Sequence, residues 1–198
     1  MNYQLILDET LKKLKGKPKL LLHACCAPCS SYVISYLADY FDITILYYNP
    51  NIDTEEEFNY RLSELERFVK EYQTKNPVKV INLGYLKEEY EAIAKGLENE
   101  PEKGKRCLKC YRLRLEKSFQ YAKENNFDYI TTTLTLSPHK NSKVINEIGH
   151  ELEDEYRFPY LYSDFKKKDG YKKSILLSHE YNLYRQDYCG CKYSKKKI

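Results

Sequence analysis

The chain has 198 residues, with 33 Lys and Arg against 29 Asp and Glu and a net charge of +4. This length suits one well-cored domain (1–198) rather than two, and the near-balanced charge means that any polyanion-binding surface must come from local lysine clusters. No apolar run approaches the ~20 residues needed to span a bilayer, and Met1–Leu14 is charged and amphipathic rather than a signal peptide, so a cytoplasmic protein without membrane contact is expected.

Gln4–Leu14 has helical apolar spacing and is stopped by Gly16-Lys17-Pro18. Leu20-Leu21-Leu22 is the first strand, and Pro28 points to a turn into a helix over Ser30–Tyr40. Asp42–Tyr48 is the second strand, ended by Asn49-Pro50-Asn51. Thr54 followed by Glu55-Glu56-Glu57 resembles a capping box and starts a long helix to about Gln73. Val78–Leu83 is the third strand and Glu88–Lys95 a short helix. After a charged loop, Cys107-Leu108-Lys109-Cys110 leads into a helix over Tyr111–Asn125. Tyr129–Thr135 is β-branched and reads as the fourth strand. Ser137-Pro138 opens another helix to about Glu153, and Lys173–Tyr181 is helical. This alternation predicts an α/β fold: a single three-layer, Rossmann-like domain with a mostly parallel sheet of four to five strands and helices on both faces.

All seven cysteines fall in clusters: Cys25-Cys26-x-x-Cys29, Cys107-x-x-Cys110 and Cys189-Gly190-Cys191. In a reducing compartment such clusters point to metal or redox chemistry rather than structural disulfides. A loop after the first strand is where open α/β sheets place ligands, and the Cys107 group can converge on it at the switch point of the sheet. A four-cysteine zinc staple would leave three thiols over. An iron–sulfur cluster accepts irregular spacings. Cys189 and Cys191 also suit a redox pair, since Gly190 allows the tight turn that would bring their sulfurs together.

Five stretches together carry a resemblance: Leu21–Cys29, Tyr48–Ile52, Cys107–Leu115, Thr132–Pro138 and Tyr184–Cys191. In order and combination they resemble the QueH-type epoxyqueuosine reductases. That resemblance implies reduction of the epoxide of epoxyqueuosine at the tRNA wobble position, giving queuosine and water. It further implies a [4Fe–4S] cluster, no cobalamin, tRNA carrying epoxyqueuosine as partner, and an electron donor that the sequence does not identify. Carried over residue by residue, Cys25, Cys26, Cys107 and Cys110 are the expected cluster ligands. Cys189 and Cys191 are the expected second centre, as a catalytic dithiol or as ligands of a second iron or zinc beside the cluster. Spacing alone also allows Cys107, Cys110, Cys189 and Cys191 on the cluster with Cys25, Cys26 and Cys29 elsewhere. Cys29 is left either as a second-centre ligand or as a small buried residue.

Other residues have a structural and a functional reading. His23 is a core histidine or a partner of the cysteines. Asn49 and Asn51 form a turn or line the pocket. Arg185 and Gln186 make surface contacts or read a base, and Asp53, Asp164 and Asp187 are candidate proton donors or metal ligands. The runs Lys166–Lys168, Lys172-Lys173 and Lys195–Lys197, interleaved with Tyr160, Tyr162, Tyr171, Tyr181, Tyr184 and Tyr188, are a solvated face or an RNA track. An ATP-dependent tRNA sulfur transferase is the alternative enzyme, but the loop after the first strand has no glycine to cradle pyrophosphate. A zinc-stapled RNA-binding module is the non-catalytic alternative.

Overall fold

The computed structural model describes residues 1–195. Helix α1 (Tyr3–Lys13) precedes β1 (Lys19–Ala24), α2 (Ala27–Leu37), β2 (Asp42–Tyr47), α3 (Glu55–Glu71) and β3 (Lys79–Asn82). Then follow α4 (Lys87–Ala94), α5 (Lys105–Glu124), β4 (Tyr129–Thr132), α6 (Ser142–Tyr156) and α7 (Gly170–Glu180). The four strands are all parallel, in the order β3-β2-β1-β4. The chain moves outward from β1 to β3 and then returns to the other side of β1. The switch point therefore lies between β1 and β4, and the cysteine-bearing turn leaves the C-terminal end of β1.

Strand alternation divides the core into two layers. Leu20 and Leu22 of β1 face Val33, Ile34 and Leu37 of α2 and Phe58, Leu65 and Phe68 of α3. Leu21 faces the other way, toward Leu115 and Phe119 of α5 and Ile145, Ile148 and Leu152 of α6. Thr54 caps α3, its hydroxyl accepting from Glu57 N at 3.2 Å, as the capping-box pattern anticipates.

Several boundaries differ from the sequence expectation, and the differences shape the site. Helix α5 starts at Lys105, so Cys107 and Cys110 lie inside the helix rather than before it. Glu100 brings this about, its carboxylate accepting from Lys105 N at 2.9 Å. Strand β4 ends at Thr132 instead of Thr135, and a 3-10 turn covers Thr133–Leu136. The β1–β4 ladder ends at the His23–Thr132 pair, one residue before β1 leaves β2 at Ala24. Beyond it β1 turns into the cysteine loop, and Thr132 Oγ1 accepts from Leu134 N instead. Helix α6 starts at Ser142, not at Ser137, because a residue before proline is held extended and Asn141 supplies the cap. Ser137–Asn141 is thus a loop beside the C-terminal end of the sheet.

Candidate metal centre

The first cysteine group is built by the exit from β1. Ala24 is the last strand residue, and Cys26 is the extended N-cap of α2, with Pro28 in its first turn. The turn between strand and helix lets consecutive cysteines converge, which neither element alone would allow. Sγ of Cys25 and Cys26 are 3.7 Å apart, and the sulfurs of Cys25, Cys26 and Cys29 all lie within 4.8 Å of one another. Hydrogen bonding with the Cys26 and Cys29 thiols, helped by Arg114 and Lys140, pulls Cys25 well below the usual thiol range despite its burial. The same interactions, together with burial, push its two neighbours up, Cys26 to about 11.

The second group lies on α5. Cys107 and Cys110 sit three residues apart and share a helix face. Cys107 accepts a hydrogen bond from Lys103 N at 3.3 Å. Burial raises its thiol, as do the nearby charges of Cys189 and Cys191. Cys110 is raised to about 12, again by burial and by Cys189 and Cys191, with Arg114 opposing. Cys110 and Cys191 pack together with Tyr90 and Ala94 of α4. The Cys-Gly-Cys segment is held from several sides. Asp53 N donates to Gly190 O at 2.9 Å, and Arg61 Nη1 reaches Cys189 O at 3.4 Å and lies over the Tyr188 ring at 5.2 Å. Gly190 has φ of +111°, and a Cβ there would meet Arg61 Nη1 at 3.1 Å.

Arg114 stands between the groups. It follows Cys110 by four residues on the same face of α5 and is 1 % exposed. Nη2 donates to Asn49 Oδ1 at 2.6 Å and Nε to His23 Nε2 at 3.3 Å. His23 Nε2 lies 3.3 Å from Arg114 Nε and 3.2 Å from Tyr48 O, and Nδ1 lies 2.8 Å from Thr132 Oγ1. Burial first, and then Arg114, push the imidazole down to about 3. Arg61 and Arg106, together with Arg114, are the largest of the fully buried side chains. Arg61 is raised by the charges of Cys26 and Cys25 and by Glu57, against burial. Arg106 donates to Leu97 O at 2.7 Å and stacks on Tyr193 at 4.1 Å. Half-buried Lys140, from the Ser137–Asn141 loop, is raised by the charges of Cys189 and Cys25 despite burial.

The residues fit an anionic metal centre. A buried guanidinium without a carboxylate needs another anion to offset its desolvation, and thiolates are the anions at hand. Arg114 has no carboxylate partner among the described residues; Cys110, Cys25 and Cys189 are the charges acting on it. Buried Asn51 Oδ1, Arg61 Nη2 and Gln186 Oε1, on the segments framing the thiols, lack partners as well.

Of the residues singled out from the sequence, His23 and Asn49 hold Arg114, with Asn49 Nδ2 donating to Ala24 O at 2.9 Å. Asp53 pairs with Lys195 at 2.9 Å, and Asp164 pairs with Lys166 at 3.0 Å. Arg185 bonds Ser178 Oγ at 2.9 Å and lies over Tyr171, which ties it to α7. Tyr160 and Tyr181 are packing residues, the latter against Phe68 and Tyr72. Lys168 pairs with Asp8 at 2.7 Å. Lys196 and Lys197 lie outside the described residues. Arg61, Arg106, Arg114, Tyr90 and Lys140 have no assigned role in the sequence reading. Only Arg114 carries a local signal, the i, i+3, i+7 spacing of Cys107, Cys110 and Arg114 on one helix face.

A parallel sheet with a thiol-lined switch point defines an α/β scaffold whose cysteines could hold a metal. A family model described as "Epoxyqueuosine reductase QueH" matches residues 20–197. The chain belongs to that family. It is 42 % identical to an epoxyqueuosine reductase QueH of Streptococcus pyogenes serotype M1, over 99 % of this chain and 79 % of that protein. It is 41 % identical to one from Staphylococcus epidermidis, over 100 % and 86 %, and 40 % identical to one from Staphylococcus aureus, over 96 % and 84 %. Among the described residues no helix is long and apolar enough to cross a membrane.

Proposed function

We propose that the chain reduces the epoxide of epoxyqueuosine in tRNA to give queuosine, with Cys25, Cys26, Cys107 and Cys110 holding a [4Fe–4S] cluster and Cys189 and Cys191 forming the second centre. The observation that carries this reading is the gathering of all three cysteine groups around buried, carboxylate-free Arg114 at the sheet's switch point, in a chain of this family. Four of the thiols stand on the β1–α2 turn and on α5, elements fixed by the core. The other two stand on a loop, which suits a pair that changes partners.

When bound, the cluster passes electrons singly, and an iron beside it supplies a Lewis acid. The chain's own thiols match the remaining requirement. Removing the epoxide oxygen as water consumes two electrons and two protons. Oxidation of the Cys189/Cys191 dithiol to a disulfide releases two of each, forming one S–S bond as the two C–O bonds break. A strained Cys-Gly-Cys disulfide is readily reduced again by the electron donor. Lys140 and Arg114 keep cationic charge beside the thiols throughout. Aromatic rings at the C-terminal loop, Tyr184 and Tyr188, suit stacking of an unpaired wobble base.

The test is anaerobic reconstitution with iron and sulfide, followed by turnover of epoxyqueuosine-containing tRNA. The Cys189→Ser/Cys191→Ser double variant should keep the cluster's absorbance and lose turnover. A second reading puts the cluster on Cys107, Cys110, Cys189 and Cys191, with Cys25, Cys26 and Cys29 as a separate centre. The close grouping of the last three sulfurs favours it. In that case the same double variant loses the absorbance.

A further inference from the structure

We propose that Arg114 is a positioning residue that makes the iron–sulfur centre easier to reduce, by holding a dehydrated cation against the Cys110 sulfur. The proposal rests on the reading that Cys110 ligates the cluster.

The cation is fixed, not merely nearby. Two side-chain contacts hold Arg114, Nε to His23 Nε2 at 3.3 Å and Nη2 to Asn49 Oδ1 at 2.6 Å, and buried Cys110 lies one turn before it on the same face of α5. The planar fork of Arg makes both contacts at once; an ammonium is a point charge on a flexible stem. Both supports come from the strand side of the site. His23 is on β1, two residues before Cys25, and Asn49 bonds back to Ala24 O at 2.9 Å. The guanidinium therefore bridges α5 to the β1–α2 turn and lies where Cys110, Cys25 and Cys189 all act on it. Neither support carries the counter-charge, since neither an imidazole nor an amide is an anion here. The anion that offsets Arg114 is the thiolate centre itself. Adding an electron to that centre increases its negative charge. A fixed neighbouring cation stabilises the reduced state more than the oxidised one.

The experiment compares wild type with Arg114→Met, Arg114→Gln and Arg114→Lys after anaerobic reconstitution. Iron is counted in each, and the midpoint potential is read by spectroscopic redox titration. In Met and Gln, the one-electron reduction equilibrium should shift at least about tenfold toward the oxidised form, about 59 mV more negative. Lys keeps the charge and should recover most of that shift, although it loses the bonds to His23 and Asn49. Unshifted potentials in iron-loaded Met and Gln variants overturn the proposal. Equal shifts in all three variants overturn it too, because packing rather than charge is then responsible. Loss of iron from all three, with wild type loaded, makes Arg114 an assembly residue and also overturns it. A wild-type chain that takes up no iron overturns the cluster reading itself, and the proposal falls with it.

Discussion

Single residues decide how the C-terminal thiols are presented. Gly190 sits at φ +111°, a region that side chains rarely adopt, with Arg61 Nη1 and Ile52 Cγ1 3.1 and 3.2 Å from where a Cβ would lie. Gly190→Ala should therefore cost about 1–3 kcal/mol through backbone strain, seen as a lower melting temperature. Because the loop also moves off Arg61, turnover should fall further than stability does; an unchanged melting temperature would show that the loop relaxes freely. The residue scale is also where the sequence was least legible. The seven cysteines announce themselves by clustering, and Arg114 by its spacing from Cys110. Arg61 and Lys140 carry no such mark, because their relation to the thiols exists only after α3 and the loop following β4 have packed against the sheet end.

At the scale of elements, helix positions follow from apolar periodicity and boundaries from local hydrogen bonding. The Leu20–Leu22 run and the Phe58, Leu62, Leu65, Val69 face give the layers correctly, although Leu62 and Val69 are only partly buried and Phe68 joins Phe58 and Leu65 in the core. The start of α5 does not follow from periodicity, since the Glu100 carboxylate accepts from Lys105 N; nor does the end of β4, where Thr132 Oγ1 accepts from Leu134 N. Removing the α3 cap with Thr54→Ala should destabilise by about 1 kcal/mol in chemical denaturation, without changing the unfolding slope. Helix α1 is pinned by Asp8, which accepts from Lys168 Nζ at 2.7 Å, Tyr36 Oη at 2.9 Å and Gln4 Nε2 at 3.0 Å. Burial raises its carboxyl slightly, but these bonds outweigh that and hold it below the usual range. A depressed acid stabilises the fold above its unfolded value, and that stabilisation is lost as pH falls through the folded value. The gap in stability between wild type and Asp8→Asn, about 1 kcal/mol or less at this surface site, should be full at neutral pH and close on acidification below the carboxylate range. A gap that stays constant with pH would remove Asp8's charge from the account.

On the scale of the whole molecule, the strand–helix alternation was enough to place the switch point and the cysteine-bearing turn beside it. The division of seven thiols between two centres was not legible, because spacing along the chain does not tell which sulfurs share a space. The site draws on the β1–α2 turn, the β2–α3 loop, α5, the loop after β4 and the C-terminal segment, so a bound metal ties together parts distant in sequence. Iron loading should therefore raise the melting temperature, and stripping the metal with a chelator should lower it again. The central claim is that this chain, with iron held by its thiols, removes the epoxide oxygen of epoxyqueuosine. The most direct measurement is single-turnover conversion of epoxyqueuosine-containing tRNA by anaerobically reduced, iron-loaded protein, with the metal-free chain and the Cys107→Ser/Cys110→Ser variant in parallel. Queuosine forming only with the loaded wild-type chain is the predicted result; no conversion by the loaded chain, or equal conversion by the metal-free one, would contradict it.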